Sequence, residues 1–154
     1  MYEDSLGTPR DYGKARQWYG KAAAQGHAES QYRLGELHYH ARGGERDYSA
    51  ARDWCEKAAA QGYAAAQNRL GAMFEAGQGG PQSHARAKEW YEKAAAQGDA
   101  EAQYNLGELH YFGRGVKPDY AEARRWYEKA VAQSHAPAQY VLGDLYYSGR
   151  GVLK

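Results

Sequence analysis

The sequence has little of several features that mark particular classes of protein. Its 154 residues include one cysteine, so no internal disulfide can hold the fold together. Lys and Arg total 20 against 19 Asp and Glu, whereas binding to nucleic acid or to an anionic membrane needs a clear basic excess. We therefore expect a fold without disulfides and neither a nucleic-acid nor a membrane partner.

Signals for membranes and catalysis are also lacking. No apolar run approaches the roughly 18 residues that cross a bilayer. The start, Met1 to Asp4, has no basic region followed by an apolar run, so no secretion signal is predicted and the cytoplasm is slightly favoured. The six His show no metal-ligand spacing, and no nucleophile arrangement or phosphate-loop lysine occurs. We expect no metal, no cofactor and no enzyme activity.

What the sequence does contain is a repeat. Written in rows of 36, the chain aligns without a gap, and at least five positions are the same in all four rows. The rows are 11–46, 47–82, 83–118 and 119–154, and residues 1–10 continue the register as the tail of an earlier repeat. The recurring residues are Trp18, Trp54, Trp90 and Trp126; Ala15, Ala51, Ala87 and Ala123; Lys21, Lys57, Lys93 and Lys129; and the Leu-Gly pairs that end at Gly35, Gly71, Gly107 and Gly143. We expect one repeat domain over 1–154.

Each row predicts two helices. The first follows an N-capping residue (Asp11, Asp47, Ser83 or Asp119) and stops at Gly26, Gly62 or Gly98. Ser134 stands at that stop in the last row, so the stop there should be weaker. The second helix carries Leu-Gly, and a recurrent glycine inside a helix indicates close approach of a neighbouring helix. The prediction is an all-α solenoid of about eight antiparallel helices.

The pattern A-x-x-x-L-G, then G-x-G-V, then D-Y-x-x-A-x-x-W-Y-x-K-A resembles the Sel-one-like repeat (SLR) family, a branch of the tetratricopeptide-like α/α solenoids. Residues 102–116 and 119–133 match it most closely. The resemblance implies a right-handed superhelix with the Leu-Gly helices on its concave face. It also implies an adaptor or scaffold that binds protein partners.

Cysteine-rich relatives suggest another role, the binding of cell-wall or β-lactam-like ligands. This chain lacks their paired cysteines, which argues against transferring that activity. A structural spacer and an engineered consensus scaffold are further alternatives, since the rows are so nearly identical.

Two aromatic-rich sets have opposite predicted roles. The four tryptophans should be buried between helices beside the recurrent alanines. Cys55 stands where the other rows have Tyr19, Tyr91 and Tyr127, and we expect it to be a small packed residue with an unreactive thiol. The face of the second helices opposite Leu-Gly should bind a peptide with basic and apolar residues. Its predicted contact residues are Tyr32, Arg33, Glu36, Tyr39, Arg69, Tyr104, Asn105, Glu108, Tyr111, Phe112, Tyr140, Asp144 and Tyr147.

A competing interpretation is that the recurring tyrosines of this face pack between neighbouring repeats. The two ends also lack the polar caps that solenoids need. We therefore expect either a longer natural protein or self-association through the exposed ends.

Overall fold

The computed structural model describes residues 10–151, and within this range it contains eight helices and no strand. The helices are α1 (Tyr12–Ala24), α2 (Ala28–Tyr39), α3 (Tyr48–Ala60), α4 (Ala64–Ala76), α5 (His84–Ala96), α6 (Ala100–Phe112), α7 (Tyr120–Val131) and α8 (Ala136–Ser148). The predicted all-α solenoid is confirmed. The predicted tail, apart from Arg10, lies outside the described residues.

Local capping explains where the odd-numbered helices begin. A side-chain oxygen accepts a hydrogen bond from the backbone N–H three residues further on, as predicted, in the caps Asp11, Asp47, Ser83 and Asp119. In the last row, Ser134 has a φ of 61°, a value that favours glycine. Helix α7 accordingly has 12 residues, whereas α3 and α5 have 13.

Successive helical hairpins meet at the predicted glycines. A Cβ on Gly71 would lie 2.6 Å from the ring of Tyr91, one on Gly107 would clash with the ring of Tyr127, and one on Gly35 would lie 3.0 Å from Sγ of Cys55. The glycine of one repeat therefore receives the side chain that follows the tryptophan in the next repeat. Leaving out the Cβ lets two helices approach closely and bury this aromatic group.

The buried aromatic side chains among the described residues are Phe74, Tyr91 and Tyr127, and the predicted burial of the tryptophans is wrong. Tyr91 is 1% and Tyr127 is 0% exposed, whereas Trp18 is 66% exposed and the other three tryptophans are half-buried. Each tryptophan lies under the lysine three residues later, with Nζ between 4.0 and 4.4 Å from the ring centroid. The tryptophans thus cover the core from outside, where the cation can stack on the ring and remain hydrated.

Buried glutamines add a polar contact between repeats. The side chains of Gln31, Gln67 and Gln103 donate to a carbonyl oxygen of the preceding helix at 3.2 to 3.5 Å. Their own amide oxygens accept from a glutamine of the next repeat at 2.8 to 3.0 Å; these donors are Gln61, Gln97 and Gln133. Because both amide groups are satisfied, the glutamines can be buried and fix the register of neighbouring repeats.

The glycine sites predict opposite effects of one substitution. Gly107→Ala should destabilise the chain by about 1–3 kcal/mol, because the added methyl overlaps the Tyr127 ring. Gly143→Ala should stabilise it by up to about 1 kcal/mol, because its Cβ meets nothing within 4 Å and alanine favours the helix. Denaturant unfolding of dilute samples measures both. Equal effects would contradict the assigned packing.

The burial difference on α7 gives a second prediction. Tyr127→Ala should cost about 3–5 kcal/mol, in the range for a buried aromatic side chain. Trp126→Ala should cost clearly less, because Trp126 is only partly buried. Unfolding free energies of the two variants provide the comparison. A larger loss of stability for Trp126→Ala would support the predicted burial of the tryptophans instead.

Cys55 should be unreactive in the folded chain. It is 1% exposed, and burial together with the charge of Glu36 raises the pKa of its thiol to about 12. At about pH 8 only about one thiol in ten thousand would be ionised, and the thiolate is the reactive form. Labelling by a thiol reagent should therefore require unfolding and accelerate with denaturant. Rapid labelling of the native chain would refute this.

Candidate interaction surface

A concave site lies on the even-numbered helices, on the face predicted from the sequence. It is a groove of about 560 Å³ between α2, α4 and the start of α6. We call it the inner groove, and its lining residues are Tyr32, Ala65, Asn68, Arg69, Ala72, Glu75, Ala76, Tyr91, Asp99, Glu101 and Asn105.

Small side chains of the second row create the depth of the inner groove. Ala65, Ala72 and Ala76 occupy α4 positions that carry larger side chains in the first and third rows. Those counterparts are Glu29 and Glu36 on α2 with His40 at its C-cap, and Glu101, Glu108 and Phe112 on α6. The groove therefore forms where the repeat departs from its own pattern.

An ion pair between repeats forms one wall of the inner groove. Nε of Arg69 lies 2.7 Å from Oε1 of Glu36, and its second nitrogen lies 3.0 Å from Oε2. The guanidinium also stacks 4.7 Å from the centroid of the Tyr39 ring. Burial is the largest single effect and disfavours the charge, but the hydrogen bonds to Glu36 and the negative charge of Glu36 together outweigh it, so the pKa of Arg69 is raised. This bidentate geometry holds the wall rigidly.

Glu75 organises the opposite wall. Its carboxylate accepts hydrogen bonds from the Tyr91 hydroxyl at 2.9 Å and from Arg114 at 2.7 Å. Burial and the negative charge of Glu75 raise the pKa of Tyr91, so the phenol stays protonated and remains a donor. The Glu75 carboxylate thus links the second row to the third row.

The α6 end of the inner groove is acidic. Asp99 caps α6 by accepting from Ala102 N at 2.8 Å, and burial raises the pKa of its carboxyl group. Glu101 is exposed and contacts His135 at 2.8 Å. The groove lining as a whole carries three carboxylates against one guanidinium. The electrostatic potential inside the groove should therefore favour cationic groups of a ligand.

Three of the predicted contact residues, Tyr32, Arg69 and Asn105, line the inner groove. Glu36 and Tyr39 hold Arg69 in place. Burial and the charge of Glu36 raise the pKa of Tyr32 to about 12. Arg33 lines a different groove, between α1 and α2.

The remaining predicted residues do not converge on the inner groove. Tyr104 packs 5.8 Å from Tyr127, and Tyr111 packs edge-on against Tyr120 at 5.2 Å. Glu108 accepts a hydrogen bond of 2.7 Å from the Tyr127 hydroxyl. These contacts fit the competing interpretation, packing between repeats. The residues at exposed positions are Phe112, Tyr140, Asp144 and Tyr147.

The face predicted from the sequence includes Asn68, Glu75, Glu101 and the three alanines, which we call the alanine floor, but none of them was among the predicted contact residues. Tyr91 and Asp99 lie outside that face and were missed. The alanine floor consists of Ala65, Ala72 and Ala76. A signal was present, because the second row alone has alanine at three positions of this face. Within residues 10–151 no group of three or more His, Cys, Asp or Glu is arranged to hold a metal ion. None of the described helices is both long and apolar enough to cross a membrane.

Solved structures with the same architecture come from several bacteria. A Sel1 repeat protein from Oxalobacter formigenes is 33% identical and superposes with a TM-score of 0.91 over 99% of this chain and 62% of that one. A protective antigen of uropathogenic Escherichia coli with an SLR fold is 36% identical, with a TM-score of 0.90 over 95% and 31%. This chain spans less than two thirds of the length of either protein.

A more distant likeness concerns the fold alone. Helicobacter pylori cysteine rich protein B is 23% identical and has a TM-score of 0.65 over 86% of this chain and 95% of that one. Comparison with curated proteins gives no match.

The family comparison covers the whole chain. The model of the Sel1 repeat matches residues 1–27, 28–63, 64–99, 100–135 and 136–154. The last four matches begin at the first residues of α2, α4, α6 and α8. The chain therefore belongs to the Sel1 repeat family, whose members are in general non-enzymatic modules for protein–protein interaction.

Proposed function

We propose that the inner groove binds a peptide segment of a protein partner, with basic side chains at the α6 end and apolar side chains on the alanine floor. The chain then acts as an adaptor, by binding and without catalysis. The observation that carries the proposal is the combination of this floor with a lining of three carboxylates against one guanidinium.

The floor supports the apolar half of the proposal. Ala65 and Ala72 are half-buried, and their methyl groups leave about 560 Å³ of space. That volume falls in the range of about 300–1,000 Å³ that is typical of ligand sites. Leucine- or tyrosine-sized side chains can enter it and bury apolar area against the methyl groups.

The carboxylates support the basic half. Glu75 already bonds Arg114, whereas Asp99 and Glu101 have no Arg or Lys partner among the described residues. A lysine or arginine of the partner can complete their hydrogen bonding at this end of the groove. Such a contact should steer association and weaken with added salt.

The polar groups of the inner groove are already in place. Asn105 donates to the amide oxygen of Asn68 at 3.0 Å, and each amide keeps capacity for further hydrogen bonds. An extended peptide has free backbone N–H and C=O groups to match them, so these amides favour an extended segment. A preformed site also loses little entropy on binding.

The other predicted contact residues would act differently from one another. Phe112 is 53% exposed and would extend the surface toward the next repeat. Tyr104, Glu108 and Tyr111 would hold that surface in shape, since each contacts a neighbouring helix.

Selection from a displayed random peptide library tests the chemistry of the partner. Peptides retained by the 154-residue chain should be enriched in Lys or Arg next to Leu, Ile or aromatic residues. Enrichment of acidic peptides, or no enrichment over an empty surface, would refute the proposal.

A charge-reversal pair locates the contact. Glu101→Lys in the groove should weaken a selected peptide about tenfold, a loss of about 1.4 kcal/mol. Glu89→Lys makes the same charge change at an exposed position of α5, outside the groove lining, and should leave the affinity unchanged. Titration calorimetry at two salt concentrations measures both. Equal weakening by the two variants would show that only net charge matters.

A further inference from the structure

Helix α8 carries the surface with which α2, α4 and α6 each receive the next repeat. The glycines of α4 and α6 are covered by Tyr91 and Tyr127, whereas a Cβ on Gly143 of α8 would meet nothing within 4 Å. Within residues 10–151 no helix follows α8. The glycine site of α8 is therefore open.

Two further features of α8 repeat this pattern. Gln139 is exposed, although its counterparts Gln31, Gln67 and Gln103 are buried and accept a hydrogen bond from the next repeat. Tyr147 is 95% exposed, although its two tyrosine counterparts stack edge-on at 5.2 Å against the first tyrosine of the following helix. The stacked pairs are Tyr39 with Tyr48 and Tyr111 with Tyr120.

These internal junctions specify what fits α8. A helix that docks on α8 needs a tyrosine at its start to stack on Tyr147, and seven residues later an aromatic side chain to cover Gly143. Six residues further it needs a glutamine to bond Gln139. Helix α7 and its following turn have this spacing, with Tyr120, Tyr127 and Gln133. Helix α1 and its C-cap have the same spacing. The three residues there are Tyr12, Tyr19 and Gln25.

Within residues 10–151, these three residues of the α1 segment are available for such a contact. Tyr12 and Tyr19 line an open groove of about 390 Å³ between α1 and α2. Among residues 10–151, the Gln25 side chain donates only to Lys21 O of its own helix, at 3.2 Å, whereas its counterparts donate to the preceding repeat. The groove and α8 are thus complementary halves of one repeat junction.

We propose that α1 of one copy of this chain docks on α8 of a second copy and reproduces the internal junction. Tyr19 covers Gly143 and its hydroxyl donates to Asp144, as Tyr127 covers Gly107 and donates to Glu108 at 2.7 Å. The two faces are different surfaces, so each added copy leaves one face open, and the assembly grows as an open row. This contact is independent of the inner groove.

Sedimentation velocity over a concentration series of the 154-residue chain tests the contact. The mean mass should rise above 17.2 kDa with concentration. Tyr19→Ala and Gly143→Ala should each weaken association at least about tenfold. Gly143→Ala should do so with an unchanged or raised melting temperature, because its methyl group blocks only the incoming ring. Gln17→Ala, at an exposed position of α1, is the control that should associate like the parent.

Mixing the two defective variants identifies the pairing. The Gly143→Ala chain keeps an intact α1, and the Tyr19→Ala chain keeps an intact α8. An equimolar mixture should form one junction and stop at a heterodimer, whereas each variant alone stays monomeric.

Three results would overturn the proposal. The parent chain could remain at 17.2 kDa up to its solubility limit. The mixture could fail to pair although both variants are folded by circular dichroism. Tyr19→Ala alone could associate as strongly as the parent, which would show that two α8 faces pair with each other instead.

Discussion

The contact between a helix-interior glycine and the aromatic residue of the next repeat determines most of this structure. Where Tyr91 and Tyr127 lie on Gly71 and Gly107, a ring touches the backbone of the preceding hairpin directly. The spacing of the repeats is therefore set by backbone and ring dimensions, and the alanines and glutamines around the contact complete the register. Outer-face and inner-face side chains that contact no neighbouring repeat can therefore vary without altering the stacking.

The difference between local contacts and contacts between repeats explains which features could be predicted from the sequence and which could not. Helix starts were predictable because a cap such as Asp11 bonds to a backbone N–H only three residues away. The tryptophans were misplaced because a periodic pattern shows that Trp126 and Tyr127 recur, but not which of two adjacent positions faces inward. The lysine that recurs three residues after each tryptophan was the available signal, since a cation that stacks on a ring stays near water.

The candidate site was predicted in location but not in shape. Tyr32, Arg69 and Asn105 were chosen because large and polar side chains on an exposed face suggest binding, and all three line the inner groove. The depth of a groove, however, depends on where side chains are small. The decisive residues are the alanines of the second row, such as Ala72, and a search for conspicuous side chains passes over them. The pairing of Glu75 with Tyr91 depends on the stacking of repeats, which no local pattern encodes.

The polar residues of the inner groove divide by what they already contact. Arg69 joins α4 to Glu36 of α2, and Glu75 accepts from Tyr91 and Arg114 of later segments, so these groups hold repeats together and have much of their hydrogen-bonding capacity occupied. Asp99 and Glu101 lack an Arg or Lys partner within the described chain. Under the proposed function, Glu75 holds repeats together, whereas Glu101, and Asp99 in addition to capping α6, would supply the charge that attracts a basic partner.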